Sequence, residues 1–170
     1  MSSLVSVNSL IVFVAQYVLY LILAAAAAIW LYLPRPDKVS LAAQTVMSLV
    51  IVFLLITLAA AIYTDPRPFV VNPSIRPLFA HGADNGFPSD HTAVAVTVAL
   101  LVMMYRRWLG AALLVASIAL GSARVAAHVH HVPDIVVAVL IAALAVVIAS
   151  AIWRWVRPHL PRQLTGRVST

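Results

Sequence analysis

The 170-residue chain contains no cysteine, which excludes a disulfide framework and a thiolate metal site. Charged residues are equally scarce, at 9% against 64% hydrophobic. An ordinary soluble domain is roughly 45–50% apolar, so too little polar surface remains to keep a globule of this size dispersed in water. The mean hydropathy of +1.03 agrees. Intrinsic disorder, a collagen-like fibre and a coiled coil are excluded because each needs a composition absent here. No Lys or Arg precedes the first apolar run, so that run is expected to stay in the mature protein rather than be removed as a signal peptide. Acidic residues are few, 5 against 11 basic, giving a net charge of +6. On a soluble chain this excess would suggest nucleic acid. In a membrane protein it is a topology signal and an attraction to anionic lipid headgroups, and no nucleic-acid partner is expected.

About 20 apolar residues span a bilayer core, and five uncharged windows approach that length. They are 9–33, 39–62, a stretch from just after Pro88 to Tyr105, 108–127 and 135–153. The pattern predicts an all-α, polytopic membrane helix bundle of about five transmembrane helices, forming one domain over residues 1–170. The first two, separated by a polar turn from Pro34 to Lys38, are expected to pair antiparallel. One side of the bundle then collects Arg35, Lys38, Arg106, Arg107, Arg154, Arg157, Arg162 and Arg167. The positive-inside rule makes that side cytoplasmic, with the N-terminus outside and the C-terminus inside. Trp30, Trp108, Trp153 and Trp155 fall near the same boundary, as an interfacial belt would. The run Ala24 to Ala28 suits close helix packing, and Gln16 and Gln44 are expected to bond across helices.

Ionisable side chains in spanning segments cost about 2.5–3.5 kcal/mol each on insertion scales, yet this chain groups them at one membrane face. Arg67 follows the second span, Ser89, Asp90 and His91 open the third, and Arg124, His128, His130, His131 and Asp134 join the fourth to the fifth. Arginine presents a planar fork of donors that matches phosphate oxygens, which suits Arg67 and Arg124. Ser89 stands at a helix start, where a hydroxyl and free backbone N–H groups receive an anion. An imidazole held by a carboxylate is a competent nucleophile toward phosphorus, and His130 with Asp134 has that spacing. A second imidazole, His91, is placed to protonate a leaving oxygen.

The order Arg67-Pro68, Pro88-Ser89-Asp90-His91, then Arg124, His130 and Asp134 resembles the three-part signature of the type 2 phosphatidic acid phosphatase superfamily. The resemblance implies a metal-independent, cofactor-free membrane phosphatase acting on lipid phosphates or diphosphates through a phosphohistidine. It assigns the catalytic roles to His130, His91 and Asp134 and the substrate phosphate to Arg67, Arg124, Ser89 and Asp90. Two departures stand out. The first motif's usual lysine is Ala60 here, with Arg76 as a candidate substitute, and Asp90 replaces the second motif's usual glycine. Pro-Ser-Asp-His beside Asp65-Pro-Arg-Pro-Phe69 is similar to the bacterial bacitracin-resistance branch, which hydrolyses undecaprenyl diphosphate. The expected setting is therefore a bacterial plasma membrane, with the site facing the periplasm or exterior and releasing undecaprenyl phosphate and inorganic phosphate. Phosphatidic acid, phosphatidylglycerol phosphate and lipid A are the alternative substrates, and the oligomeric state is open.

Other readings of the same residues are a divalent-metal site at His128, His130, His131 and Asp134 and a proton-coupled transporter. A serine hydrolase is not expected, because consecutive Ser89, Asp90 and His91 cannot align as a triad. His81, Asp84 and Asn85 are expected to be solvated loop residues, with Asn85-Gly86 a tight turn.

Overall fold

The structure, a computed structural model, describes residues 2–161. Its helices are α1 (Ser2–Leu31), α2 (Arg35–Ile62), α3 (Pro68–Val71), α4 (Asp90–Tyr105), α5 (Arg107–Ala126) and α6 (Val132–Val156), and a 3₁₀ turn over Arg157–His159 follows. α1, α2, α5 and α6 are long and apolar enough to cross a membrane, and α4 is a shorter apolar helix of 16 residues. The chain is a polytopic helical bundle, as the sequence leads one to expect. Large apolar side chains point outward on every long helix, among them Phe53, Val115 and Val147. Such a surface is stable only against lipid.

Two boundaries differ from the expected ones. The polar turn is shorter, because α2 already begins at Arg35 behind Pro34, and Pro36 sits in its first turn, where a missing N–H costs nothing. α4 begins at Asp90 with Ser89 as its N-cap residue, one position later than the expected start just after Pro88. Arg162 and Arg167 of the basic tail lie outside the described residues.

α4 is the central helix and packs against α1, α2, α5 and α6. Its Ala93, Ala95, Ala99 and Leu101 are fully buried. α1 rests mainly on α5 and α2 mainly on α6, so the expected α1–α2 pairing is not formed beyond their shared turn. Because lipid tails are as apolar as leucine, helices associate in a bilayer through close van der Waals contact, which small side chains permit. The small-residue stripe here is Ala138, Ala142, Ala145 and Ala149 on α6, all fully buried. The Ala24 to Ala28 run does not serve this purpose, since Ala24, Ala27 and Ala28 are exposed and only Ala26 reaches the core. Where α5 doubles back on α4, a Cβ on Gly110 would stand 2.2 Å from the Met103 backbone, so only glycine admits that close a return.

Gln44 joins three helices, accepting from the Tyr105 hydroxyl on α4 and donating to Ser150 on α6. Gln16 makes no such bond and lines a surface groove instead. Trp30, Trp108 and Trp155 are exposed as a belt requires, whereas Trp153 is 7% exposed and faces the bundle interior.

Candidate active site

The site is built from the starts of α3, α4 and α6 and the end of α5, which meet at one pole of the bundle. α5 closes with His128 in the left-handed region (φ 62°), its N–H donating to Val125 O at 2.9 Å and the Val129 N–H donating to Arg124 O at 3.2 Å. This pair of bonds is a Schellman closure. It reverses the chain so that Val129 and His130 fold back into the protein while His128 stays exposed. His128 is thus a backbone device rather than a ligand.

Arg124, in the last turn of α5, is 3% exposed. Its Nη1 donates to Ala15 O of α1 at 3.1 Å and its Nη2 to Nε2 of His81 at 3.2 Å, while Nε is buried without a partner. Arg67, the residue before α3, is 5% exposed, donating from Nε to Asp84 Oδ1 at 2.9 Å and from Nη1 to Val129 O at 2.6 Å. Each guanidinium is therefore fixed from behind and keeps donors for an anion. The Asp84 carboxyl is held below its usual range by the hydrogen bond from Arg67.

His130 Nδ1 donates to Asp134 Oδ2 at 3.1 Å, with both side chains buried. The His131 backbone N–H donates to the same oxygen at 2.8 Å. A carboxylate can only accept, so Nδ1 carries the proton and Nε2 keeps its lone pair. Burial pushes the His130 imidazole below its ordinary range, and the bond to Asp134 opposes that shift. Asp134 itself is fully buried, and its Oδ1 has no partner. A Cβ on Gly86 would meet Asp65 O at a tight 3.2 Å and Asp134 Oδ2 at 3.4 Å, so the loop packs closely over the carboxylate at this glycine.

Arg67, Asp90, His91, Arg124 and His130 all line one cavity of about 730 Å³. Its opposite wall is apolar, made by Leu49, Val52, Phe53 and Ile56 of α2 and Val94 of α4. The three separated motifs therefore converge. Ser89 does not reach the cavity: it is fully buried, its hydroxyl shares a hydrogen bond with Thr92 Oγ1 at 3.1 Å, and its N–H donates to Asp134 O. Ala60 lines the cavity, whereas Arg76 is exposed and outside it. Arg67 and Arg124 are the only lysine or arginine residues lining it among the described residues.

The loop between α3 and α4 departs most from expectation. His81 and Asp84 line the cavity, and Asn85 is a latch rather than part of a tight turn. Its Oδ1 accepts from the Asp65 and Phe87 N–H groups, its Nδ2 donates to Tyr63 O, and its backbone bridges to Pro66. One signal in the sequence pointed this way: Arg67 and Pro88 end the same loop, so its middle had to pass over the same pole. The four-residue metal set of the alternative reading does not assemble among the described residues, and His128 is exposed. The ligand atoms that do approach within 4.8 Å of one another belong to Asp65, His131 and Asp134, and His131 Nδ1 already donates to Asp65 Oδ2 at 3.0 Å.

Comparison with known proteins agrees with this geometry. Residues 41–158 match the model of the PAP2 superfamily. Bacitracin transport permease protein BcrC of Bacillus licheniformis is 25% identical over 153 residues, covering 90% of this chain and 73% of that one. Undecaprenyl-diphosphatase BcrC of Bacillus subtilis (strain 168) is 30% identical over 141 residues, covering 82% of this chain and 70% of that one. In fold, the crystal structure of Aquifex aeolicus LpxE is similar, with a TM-score of 0.68 and 21% identity over 84% of this chain and 86% of that one. With phosphatase-named relatives, a family match over most of its length and a membrane-type surface around the converged site, the chain belongs to the PAP2 superfamily and is a membrane lipid phosphatase, a hydrolase of phosphoric esters.

Proposed function

We propose that the protein removes the terminal phosphate of a lipid diphosphate, undecaprenyl diphosphate being the substrate that best suits it, on the outer side of a bacterial plasma membrane. The observation that carries this is the two-sided cavity, with guanidinium groups and imidazoles at its polar end and α2 side chains along its apolar wall. A lipid phosphate has the same division. The named activity of the Bacillus subtilis relative supports the choice of headgroup and tail. The outward orientation is supported by Arg35, Lys38, Arg106, Arg107, Arg154 and Arg157 at the pole opposite the cavity.

In this mechanism Arg67 and Arg124 neutralise the terminal phosphoryl oxygens. His130 Nε2 attacks phosphorus, forming an N–P bond as the bridging P–O bond breaks, and Asp134 stabilises the imidazolium that develops. His91, which lines the same cavity, gives its proton to the departing lipid phosphate. Water then attacks the phosphohistidine, the N–P bond breaks, a proton returns to His91, and inorganic phosphate leaves. No step passes through a metal. The transporter alternative lacks a path, since apart from tyrosines the ionisable side chains of the helices sit in their terminal turns.

The test is phosphate release by the purified protein from undecaprenyl diphosphate, phosphatidic acid, phosphatidylglycerol phosphate and lipid A, each with and without chelator. Undecaprenyl diphosphate is expected to lead by about tenfold or more in kcat/KM, a difference of about 1.4 kcal/mol in transition-state binding, with chelator lacking effect. A lead by another lipid reassigns the substrate, and loss of activity in chelator favours a metal at Asp65, His131 and Asp134.

A further inference from the structure

His81 and Asp84 stand three positions apart on the loop between α3 and α4, and neither belongs to the motifs that mark the site in the sequence. Both reach back to the phosphate-binding arginines. Nε2 of His81 accepts from Arg124 Nη2 at 3.2 Å, and Oδ1 of Asp84 accepts from Arg67 Nε at 2.9 Å. The tautomer of His81 is fixed on both sides. Its Nδ1 faces Gly82 O at 3.3 Å, a group that can only accept, so Nδ1 carries the proton and Nε2 the lone pair that Arg124 uses. Burial and the nearby Arg67 charge hold this imidazole below its ordinary range, which keeps the lone pair available at neutral pH. The ring also stands edge-on to His130, centroids 6.4 Å apart, so it borders the nucleophile.

With Ala60 supplying no charge, the two guanidiniums carry the phosphoryl group between them, and their mutual spacing decides whether one tetrahedral anion can meet both. They come from different elements, the approach to α3 and the end of α5. The loop is what connects them. We propose that His81 and Asp84 are positioning residues that brace Arg124 and Arg67 at the separation a phosphoryl group requires. This inference rests on the phosphatase reading of the site.

Binding of inorganic phosphate to the purified full-length protein in detergent tests it independently of the lipid. His81→Ala is expected to weaken phosphate binding about tenfold, because it removes a hydrogen bond to a charged donor, and His81→Gln, whose Oε1 can accept from Arg124, restores most of the affinity. Asp84→Ala costs about threefold, since its exposed pair contributes less, and Asp84→Asn, which keeps an acceptor, costs less than that. The effect of His81→Ala should vanish in an Arg124→Lys background and persist in Arg67→Lys, with the reverse pattern for Asp84→Ala. Thermal midpoints are expected to stay within a few degrees. Unchanged or tighter phosphate binding in His81→Ala, or losses that ignore which arginine is altered, overturns the brace. Failure of the unsubstituted protein to bind phosphate at all overturns the phosphatase reading and the brace with it.

Discussion

Replacing His130 with alanine is expected to lower phosphate release by roughly 10⁵-fold, the scale seen when a covalent nucleophile is removed from an otherwise intact site. Nothing else in the cavity can take over. His91 and His81 line it, but neither has a buried carboxylate at Nδ1 to fix a tautomer and offset the charge of a phosphoimidazolium. The substitution also leaves Asp134 Oδ2 with the His131 N–H as its one donor in a fully buried position, a loss of about 1–3 kcal/mol in stability. Activity and thermal unfolding measured on the same preparation separate the two effects. A variant that stays folded and retains more than a hundredth of the wild-type rate would mean that a different group attacks phosphorus.

Asp134→Asn is the second large effect. The side chain keeps its shape, so His130 remains in place, but the neutral amide no longer stabilises the positive charge that develops on the ring. Removal of the orienting carboxylate is expected to lower kcat by about 10³–10⁴-fold. Arg67 and Arg124 make no bond to Asp134, so affinity for inorganic phosphate is expected to change by less than about threefold. Equal losses in kcat and phosphate affinity would contradict the division between a cationic cup that binds and a dyad that reacts.

Much of this architecture was legible because a bilayer imposes simple rules. Length and hydropathy alone located α1, α2, α5 and α6, and the clustering of charge at helix ends located the site. Residues tied to regular spacing were found, as with His130 and Asp134, four positions apart where the chain enters α6. What escaped notice depended on loop conformation, where no periodicity applies. His81 and Asp84 read as solvated because they are polar and lie between prolines; Asp84 is exposed as read, but both also line the pocket that their loop crosses. Ser89 was read as an anion ligand from its place at a helix start, yet its hydroxyl turns inward to Thr92. His128 entered only the alternative metal reading of a histidine-rich tract, and its observed place is a left-handed backbone turn. The pairing of α1 with α2 failed for another reason: a short connection fixes where two helices meet, while the faces they bury are chosen by α4, α5 and α6.

The central claim is that His130 becomes covalently phosphorylated inside a pocket assembled from three distant motifs. Rapid quenching of the purified protein during turnover of undecaprenyl diphosphate radiolabelled in its terminal phosphoryl group tests this directly. An acid-labile, alkali-stable label that maps to His130 and is absent from His130→Ala is expected. A label on any other residue, or full turnover without any labelled protein, would contradict it.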